Sequence, residues 1–263
     1  MIEPGFRKMT NEAYHAEEGL SKSGLVKLDQ SPAHFMVPQP PPTEAMRFGT
    51  AFHAAILEPQ VYKMVFVVAP DGMKFTTKEG KGWKEKQDKI ILSANDGQII
   101  EGMRQAIKEN KTASTLLAQG IFELSAFAKD PEYGFMKKCR PDWITDGKVI
   151  VDLKSTADAR PGAFGKQIAN LKYHWQAAWY LDILTEITEI EHTDFWFIVV
   201  EKQPPFGIAT YAADKTMLAQ ARDEIAPLKA MYAQCLKDNH WPCYDDIVNI
   251  IHLPKWAQKS FQG

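Results

Sequence analysis

What this chain is short of sets its first limits. Three cysteines, Cys139, Cys235 and Cys243, are scattered over 263 residues. They form no Cys-x-x-Cys pair, so neither a disulfide framework nor a thiolate zinc or iron–sulfur centre is expected. Long apolar runs are missing too. A run such as Phe195–Val200 is far below the roughly 20 residues that span a bilayer. The opening, Met1-Ile2-Glu3-Pro4-Gly5-Phe6-Arg7-Lys8, holds no apolar core of a secretory signal. A reduced, soluble, cytoplasmic protein with no membrane partner is the expectation. An excess of one charge is also lacking: 31 Lys and Arg face 33 Asp and Glu, a net −2. Any polyanionic partner must therefore meet basic residues gathered locally. The remainder, 45% hydrophobic and 24% charged, suits a globular chain that buries a full core.

The chain shows no internal repeat and one biased stretch, Pro38-Gln39-Pro40-Pro41-Pro42, a stiff connector. Before it, a serine of Ser21-Lys22-Ser23 caps a helix expected over Lys22–Gln30. After it, Glu44–Leu57 reads as an apolar helix stopped by Pro59, and Tyr62–Val68 as a short strand. Residues 74–89 carry six lysines, Lys78 and Lys81 among them. Ser93 caps a helix whose Ile99, Ile100, Met103 and Ile107 share one face. From Ile121 to Leu153 the pattern becomes strands, and Tyr173–Ile187 is helical again. Asp194–Val200 and Gly207–Tyr211 read as strands. Asp214–Leu236 reads as a long helix kinked at Pro227, and residues 241–263 as irregular. The sum is an α/β chain with a central mixed sheet of four to five strands flanked by helices. One domain is expected over 1–263: an N-terminal helix and connector (1–43), a core (44–213), and a C-terminal helix and tail (214–263).

One stretch breaks its own pattern. Arg140-Pro141-Asp142-Trp143-Ile144-Thr145-Asp146-Gly147-Lys148-Val149-Ile150-Val151-Asp152-Leu153-Lys154 reads as a β-hairpin around Asp146-Gly147. Its second strand is apolar except for Asp152 and Lys154, which side-chain alternation puts on one side. Two carboxylates can hold a hard cation such as Mg²⁺. A plain two-residue turn would pair Asp142 with Val151 and point the two aspartates apart. A shared cation therefore requires an odd loop, for instance three residues with a left-handed Gly147, or an Asp142 lying past the regular pairing.

Pro141-Asp142 followed by Asp152-Leu153-Lys154 resembles the PD-(D/E)xK nuclease signature. Gly49-Thr50-Ala51-Phe52-His53 resembles the Gly-x-x-x-His element of RecB-like and RecE-like members, and Gln176-Ala177-Ala178-Trp179-Tyr180 their Gln-x-x-x-Tyr element. Asn11–Ala16, Gly19–Ser23, Gly49–Pro59, Tyr173–Tyr180 and Leu253-Pro254-Lys255-Trp256-Ala257 look similar to the RecE nuclease domain, so the likeness runs along nearly the whole chain. The resemblance implies a restriction-endonuclease-like core and a 5′-to-3′ exonuclease on linear duplex DNA, leaving 3′ single strands for phage-type recombination. It implies Mg²⁺, with Mn²⁺ able to substitute, held by Asp142, Asp152, the Leu153 carbonyl and His53. Lys154 would orient or activate water or stabilise charge on the phosphorus, with Gln176 and Tyr180 positioning backbone or ligands. Glu123, on the strand before Pro141-Asp142, is a further candidate carboxylate. Ser21, Lys22, Ser23, Lys78, Lys81 and Arg140 are candidate DNA contacts, the serines and Lys22 near the 5′-phosphate end. The resemblance also implies duplex DNA ends and a RecT-like annealing protein as partners, a homo-oligomer such as a toroidal tetramer, and a phage or prophage origin in a bacterial cytoplasm. Two alternatives remain: another PD-(D/E)xK endonuclease, and a non-catalytic DNA-binding or scaffold protein of the same fold.

Overall fold

The computed structural model describes residues 3–146 and 148–254. Its first part holds β1 (Gly5–Arg7), α1 (Asn11–Ala16), α2 (Lys22–Gln30), α3 (Pro32–Phe35), α4 (Glu44–Leu57), α5 (Pro59–Val65) and β2 (Phe66–Val68). Then come α6 (Lys78–Glu85), β3 (Ile90–Leu92), α7 (Ala94–Glu109), α8 (Lys111–Leu116), β4 (Gly120–Phe122), β5 (Ser125–Lys129), β6 (Met136–Cys139), β7 (Trp143–Thr145) and β8 (Ile150–Thr156). The last elements are α9 (Pro161–Asn170), α10 (Tyr173–Thr188), β9 (Phe195–Glu201), β10 (Ile208–Ala212) and α11 (Lys215–Asp238).

Five strands form the mixed central sheet, in the order β10-β9-β8-β7-β4. Only β8 and β9 run parallel; the other pairs are antiparallel. Alternation along the strands feeds two cores. Ile150, Phe195, Phe197 and Val199 pack with Trp175, Leu181 and Ile225 of α10 and α11. Val151, Leu153, Ile198 and Val200 pack with Phe52, Ile100 and Met103 of α4 and α7. A strand covered on both faces should be apolar throughout, so the charges of Asp152 and Lys154 stand out in the structure as they do in the sequence.

Local signals set the helix starts. Ser21 Oγ accepts from Gly24 N, Ser93 Oγ from Asp96 N, and Asp214 Oδ1 from Met217 N. α11 runs through Pro227 to Asp238. Two expectations need correction. Tyr62–Val65 is helical and only Phe66–Val68 is strand, because Pro59 occupies the first turn of α5 and starts a helix as readily as it stops one. The strands between 121 and 153 divide between two sheets: β4, β7 and β8 join the centre, while β5 and β6 pair with β1 in a separate sheet.

The hairpin between β7 and β8 pairs Trp143 with Val151 and Ile144 with Ile150. Thr145 N donates to Val149 O, closing a loop of three residues, 146–148. The loop is therefore odd, and the register places Asp142, one residue outside β7, opposite Asp152. Residues opposed across an antiparallel pair point to the same face. A left-handed residue in the loop is Lys148, at φ 66°; Gly147 lies outside the described residues. A lysine there sits where its Cβ crowds the backbone, at a cost of roughly 1–2 kcal/mol. Lys148→Gly should therefore raise the thermal midpoint by about 1–3 °C, measured by calorimetry at neutral pH; a lowered midpoint would show that the loop is held by something other than its backbone.

Candidate metal and nuclease site

Asp142 and Asp152 are 8% and 1% exposed. Leu153 N donates to Asp142 Oδ2 at 2.8 Å, tying the first aspartate to the strand that carries the second. Gln176, from α10, donates Nε2–H to Asp152 Oδ1 at 2.5 Å and accepts from Lys154 Nζ at 3.2 Å. Lys154 Nζ lies 2.5 Å from Asp152 Oδ2. That oxygen is buried and takes no hydrogen bond, so the ion pair alone faces it. Its neighbour Asp142 is pushed up to about 8, first by burial and then by the Asp152 charge. Burial works against the Lys154 ammonium, but Asp152 and Asp142 outweigh it and raise its pKa.

α4 delivers His53 from the other face of the sheet. Its Nε2 is 2.9 Å from Leu153 O, and its Nδ1 is 3.4 Å from Asp142 Oδ1. A carbonyl only accepts, so Nε2 carries the hydrogen. Burial, then Lys154, lowers the imidazole's pKa, which leaves Nδ1 as a lone pair facing a carboxylate oxygen. Two electron pairs at that distance need a proton or a cation between them. Glu123 completes the ring: one ligand atom each from His53, Glu123 and Asp142 lie within 4.8 Å of one another. Burial, then Asp142, raises the Glu123 pKa. The donor set is oxygen-rich with one neutral imidazole, which fits a hard divalent cation or Mn²⁺.

Glu123 does not sit on a strand, as the sequence suggested. It lies just past β4 at φ 49°, with its N–H donated to the Asp142 carbonyl. The chain leaves the central sheet there to enter the second one, a break that an alternating pattern does not reveal. Arg140 turns inward: its Nε lies 2.5 Å from Glu123 Oε2, so this guanidinium is engaged inside the site rather than presented on an outer surface. Tyr180 shares the site-facing side of α10 with Gln176 and lines the cleft beside Asp142.

Ser21, Lys22 and Ser23 open α2, and Lys22 comes close to Lys154. Lys22 Nζ donates to Leu171 O at 2.7 Å, and burial followed by Lys154 pulls its pKa down to about 8. Lys154 and Lys22 lie 4.5 Å and 5.5 Å from the centre of the Tyr173 ring. Tyr173 was not singled out in the sequence, where it looks like the first residue of an apolar helix face. Lys78 and Lys81 are exposed on α6. The tail residues Lys255, Trp256 and Ala257 lie outside the described residues. A cleft of about 740 Å³ opens over His53, Asp142 and Glu123, walled by residues 8–15 on one side and by α4 and α5 on the other. Among the described residues no helix is long and apolar enough to cross a membrane.

A central mixed sheet with Asp142, Asp152 and Lys154 on one hairpin defines the PD-(D/E)xK class. The model of a family described as a PDDEXK-like domain of unknown function (DUF3799) matches residues 21–254, and the chain belongs to that family. Among solved structures, a "Putative exonuclease" from Eubacterium rectale is similar over 94% of this chain and 96% of its own, with a TM-score of 0.64 and 14% identity; at that identity the likeness is one of fold. The SSO0001 structure covers 50% of this chain and 58% of its own, at 17% identity and a TM-score of 0.29. No curated protein matches.

A cation entering this site must displace the Asp142 proton when the pH is below about 8. Mn²⁺ affinity measured by titration calorimetry should therefore climb with pH, by up to about tenfold per unit for one displaced proton, and level off above that value. An affinity flat between about pH 6.5 and 8.5 would contradict a protonated Asp142.

Proposed function

We propose that the protein is a Mg²⁺-dependent 5′-to-3′ exonuclease of linear double-stranded DNA, with Mn²⁺ able to substitute. The observation that carries the reading is the Gln176 bridge: one amide joins Asp152 to Lys154, directly across the hairpin from Asp142. A structural ion pair needs no such third member on a neighbouring helix. Asp142, Asp152 and the Leu153 carbonyl would hold a cation, with His53 and Glu123 completing the set. When bound, such a cation polarises phosphate oxygens and makes water more acidic. Lys154 brings the positive charge on the Asp152 side, close enough to steady a water or to offset charge gathering on the phosphate. Gln176 gives that ammonium a second acceptor beside Asp152. His53, neutral at Nδ1, keeps a lone pair directed at the Asp142 carboxylate. Tyr180 borders the path by which a strand would enter.

Lys22 shares the Tyr173 ring with Lys154, which supports a role for it, and for Ser21 and Ser23 beside it in sequence, in receiving a 5′-phosphate. Lys78, Lys81 and the rest of the α6 lysines are in this reading contacts to the duplex, each releasing counterions. The proposal extends to a toroidal homo-oligomer, to a RecT-like annealing partner on the exposed 3′ strand, and to a bacterial cytoplasm with a phage or prophage as the source.

The test compares 5′-phosphorylated linear duplex with covalently closed circles in Mg²⁺, for wild type and Lys154→Ala. Wild type should shorten the linear substrate from its 5′ ends and spare the circle, and Lys154→Ala should lose roughly 10²–10³-fold in rate. Equal rates for the two proteins would remove the role given to Lys154. Equal cutting of circles would make the enzyme an endonuclease, and tight DNA binding without cutting would make it a scaffold.

A further inference from the structure

Two basic side chains, from β6 and just past its end, tie the N-terminal segment to the body of the protein. Lys138 and Arg140 are two residues apart on one extended stretch and so project to the same side. Lys138 Nζ donates to the carbonyls of Tyr14 (3.0 Å) and Glu17 (2.5 Å). Arg140 Nη1 donates to the Met9 carbonyl at 3.0 Å while its Nε holds Glu123 Oε2 at 2.5 Å. Three backbone carbonyls of residues 9–17 are thus fastened by two side chains, and β1 adds a pairing of Gly5–Arg7 with Ser125–Phe127. This same N-terminal segment forms one wall of the cleft above His53 and Asp142. It precedes residues 21–254, the stretch matched by the family.

We propose that Arg140 is a positioning residue that acts through Glu123 and couples the cation-binding side of the site to a substrate-facing wall built by residues 8–15. The substrate class is a polynucleotide strand, so the inference rests on the nuclease reading above. A guanidinium suits this role because its fork can engage a carboxylate and a carbonyl at once, which an ammonium on a flexible stem does poorly. Glu123 needs the help. It sits at a left-handed residue between two sheets, and without Arg140 only its backbone N–H, donated to Asp142 O, would fix it. The wall needs it as well, because Met9 is the last residue before the turn into α1 and its carbonyl has Arg140 as a donor.

The experiment uses the full chain and two readouts: Mn²⁺ affinity by titration calorimetry, and the rate of tryptic cleavage after Arg7 and Lys8. Arg140→Met should weaken Mn²⁺ binding roughly ten- to a hundredfold and speed that cleavage. In a Glu123→Gln background the same change should move affinity by less than about twofold, because the route through Glu123 is already cut. Arg140→Lys guards against a misfolded variant. It should keep affinity within about threefold of wild type, because its charge stays beside Glu123, yet still speed cleavage. An Arg140→Met protein that binds Mn²⁺ like wild type overturns the proposal. So does a full additional loss in the Glu123→Gln background, or unchanged cleavage in Arg140→Met or Arg140→Lys. Failure of the wild type itself to bind Mn²⁺ would instead overturn the nuclease reading and this inference with it.

Discussion

Two carboxylates that repel each other are held on one face of a hairpin, buried, with one lysine paired to the second of them. Most of the architecture around Asp142 and Asp152 answers that constraint. Burying an ionised carboxylate costs several kcal/mol unless it is paired and hydrogen-bonded. Here Asp152 has Lys154 and the Gln176 amide, whereas Asp142 has one backbone N–H from Leu153. The asymmetry is why Asp142 is the member driven up to about 8. By linkage, a carboxyl whose folded pKa lies above its unfolded value loses stabilisation as pH rises between the two, from about 4 up to about 8. In the absence of a cation the site is therefore a weak point at neutral pH, and a bound cation reverses that sign.

The rest of the fold supplies what the site takes away. β8 and β9 bury apolar residues on both faces, with α10 and α11 on one side and α4 and α7 on the other. α4 and α10 are also the helices that carry His53 and Gln176, so the packing that stabilises the sheet sets where these two side chains meet the hairpin. Three of the six non-glycine residues with positive φ among the described residues fall in the segments that carry the site. Glu123, Lys148 and Lys172 all have positive φ; one is a candidate ligand, one closes the hairpin and one opens α10. At roughly 1–2 kcal/mol each, three such residues are tolerable only where dense packing over-determines the backbone.

Much of this was legible beforehand, for physical reasons that differ by residue. Asp152 and Lys154 announced themselves because a doubly covered strand has no other reason to carry charge. The odd hairpin loop followed from requiring the aspartates to share a face, and the observed register of Trp143 with Val151 meets that requirement. Helices with serine caps and a 3.6-residue apolar stripe were placed to within a residue or two. Proline misled at Tyr62–Val65, because the residue that ends one helix can begin the next. Glu123 was placed on a strand because sheet membership is non-local: nothing in residues 120–129 states that the chain changes sheets after Phe122. Arg140 reads in the sequence as a candidate DNA contact; its pairing with Glu123 is an added role that a lone arginine does not announce.

Gln176 shows why the arrangement is chemically narrow. Its partners want opposite things: Asp152 Oδ1 needs a donor, and Lys154 Nζ needs an acceptor. An amide offers both from one rigid group. A glutamate in its place would add another carboxylate to a site that already drives the Asp142 pKa up. A leucine would leave a buried carboxylate oxygen without its hydrogen bond, at roughly 1–3 kcal/mol. Pinned between an acid and a base, the amide also fixes where the Lys154 ammonium sits, 2.5 Å from Asp152 Oδ2 and 3.2 Å from the Gln176 oxygen. The amide thus ties the ion pair of β8 to α10, so the geometry of Asp152 and Lys154 is set by helix packing as well as by their own attraction.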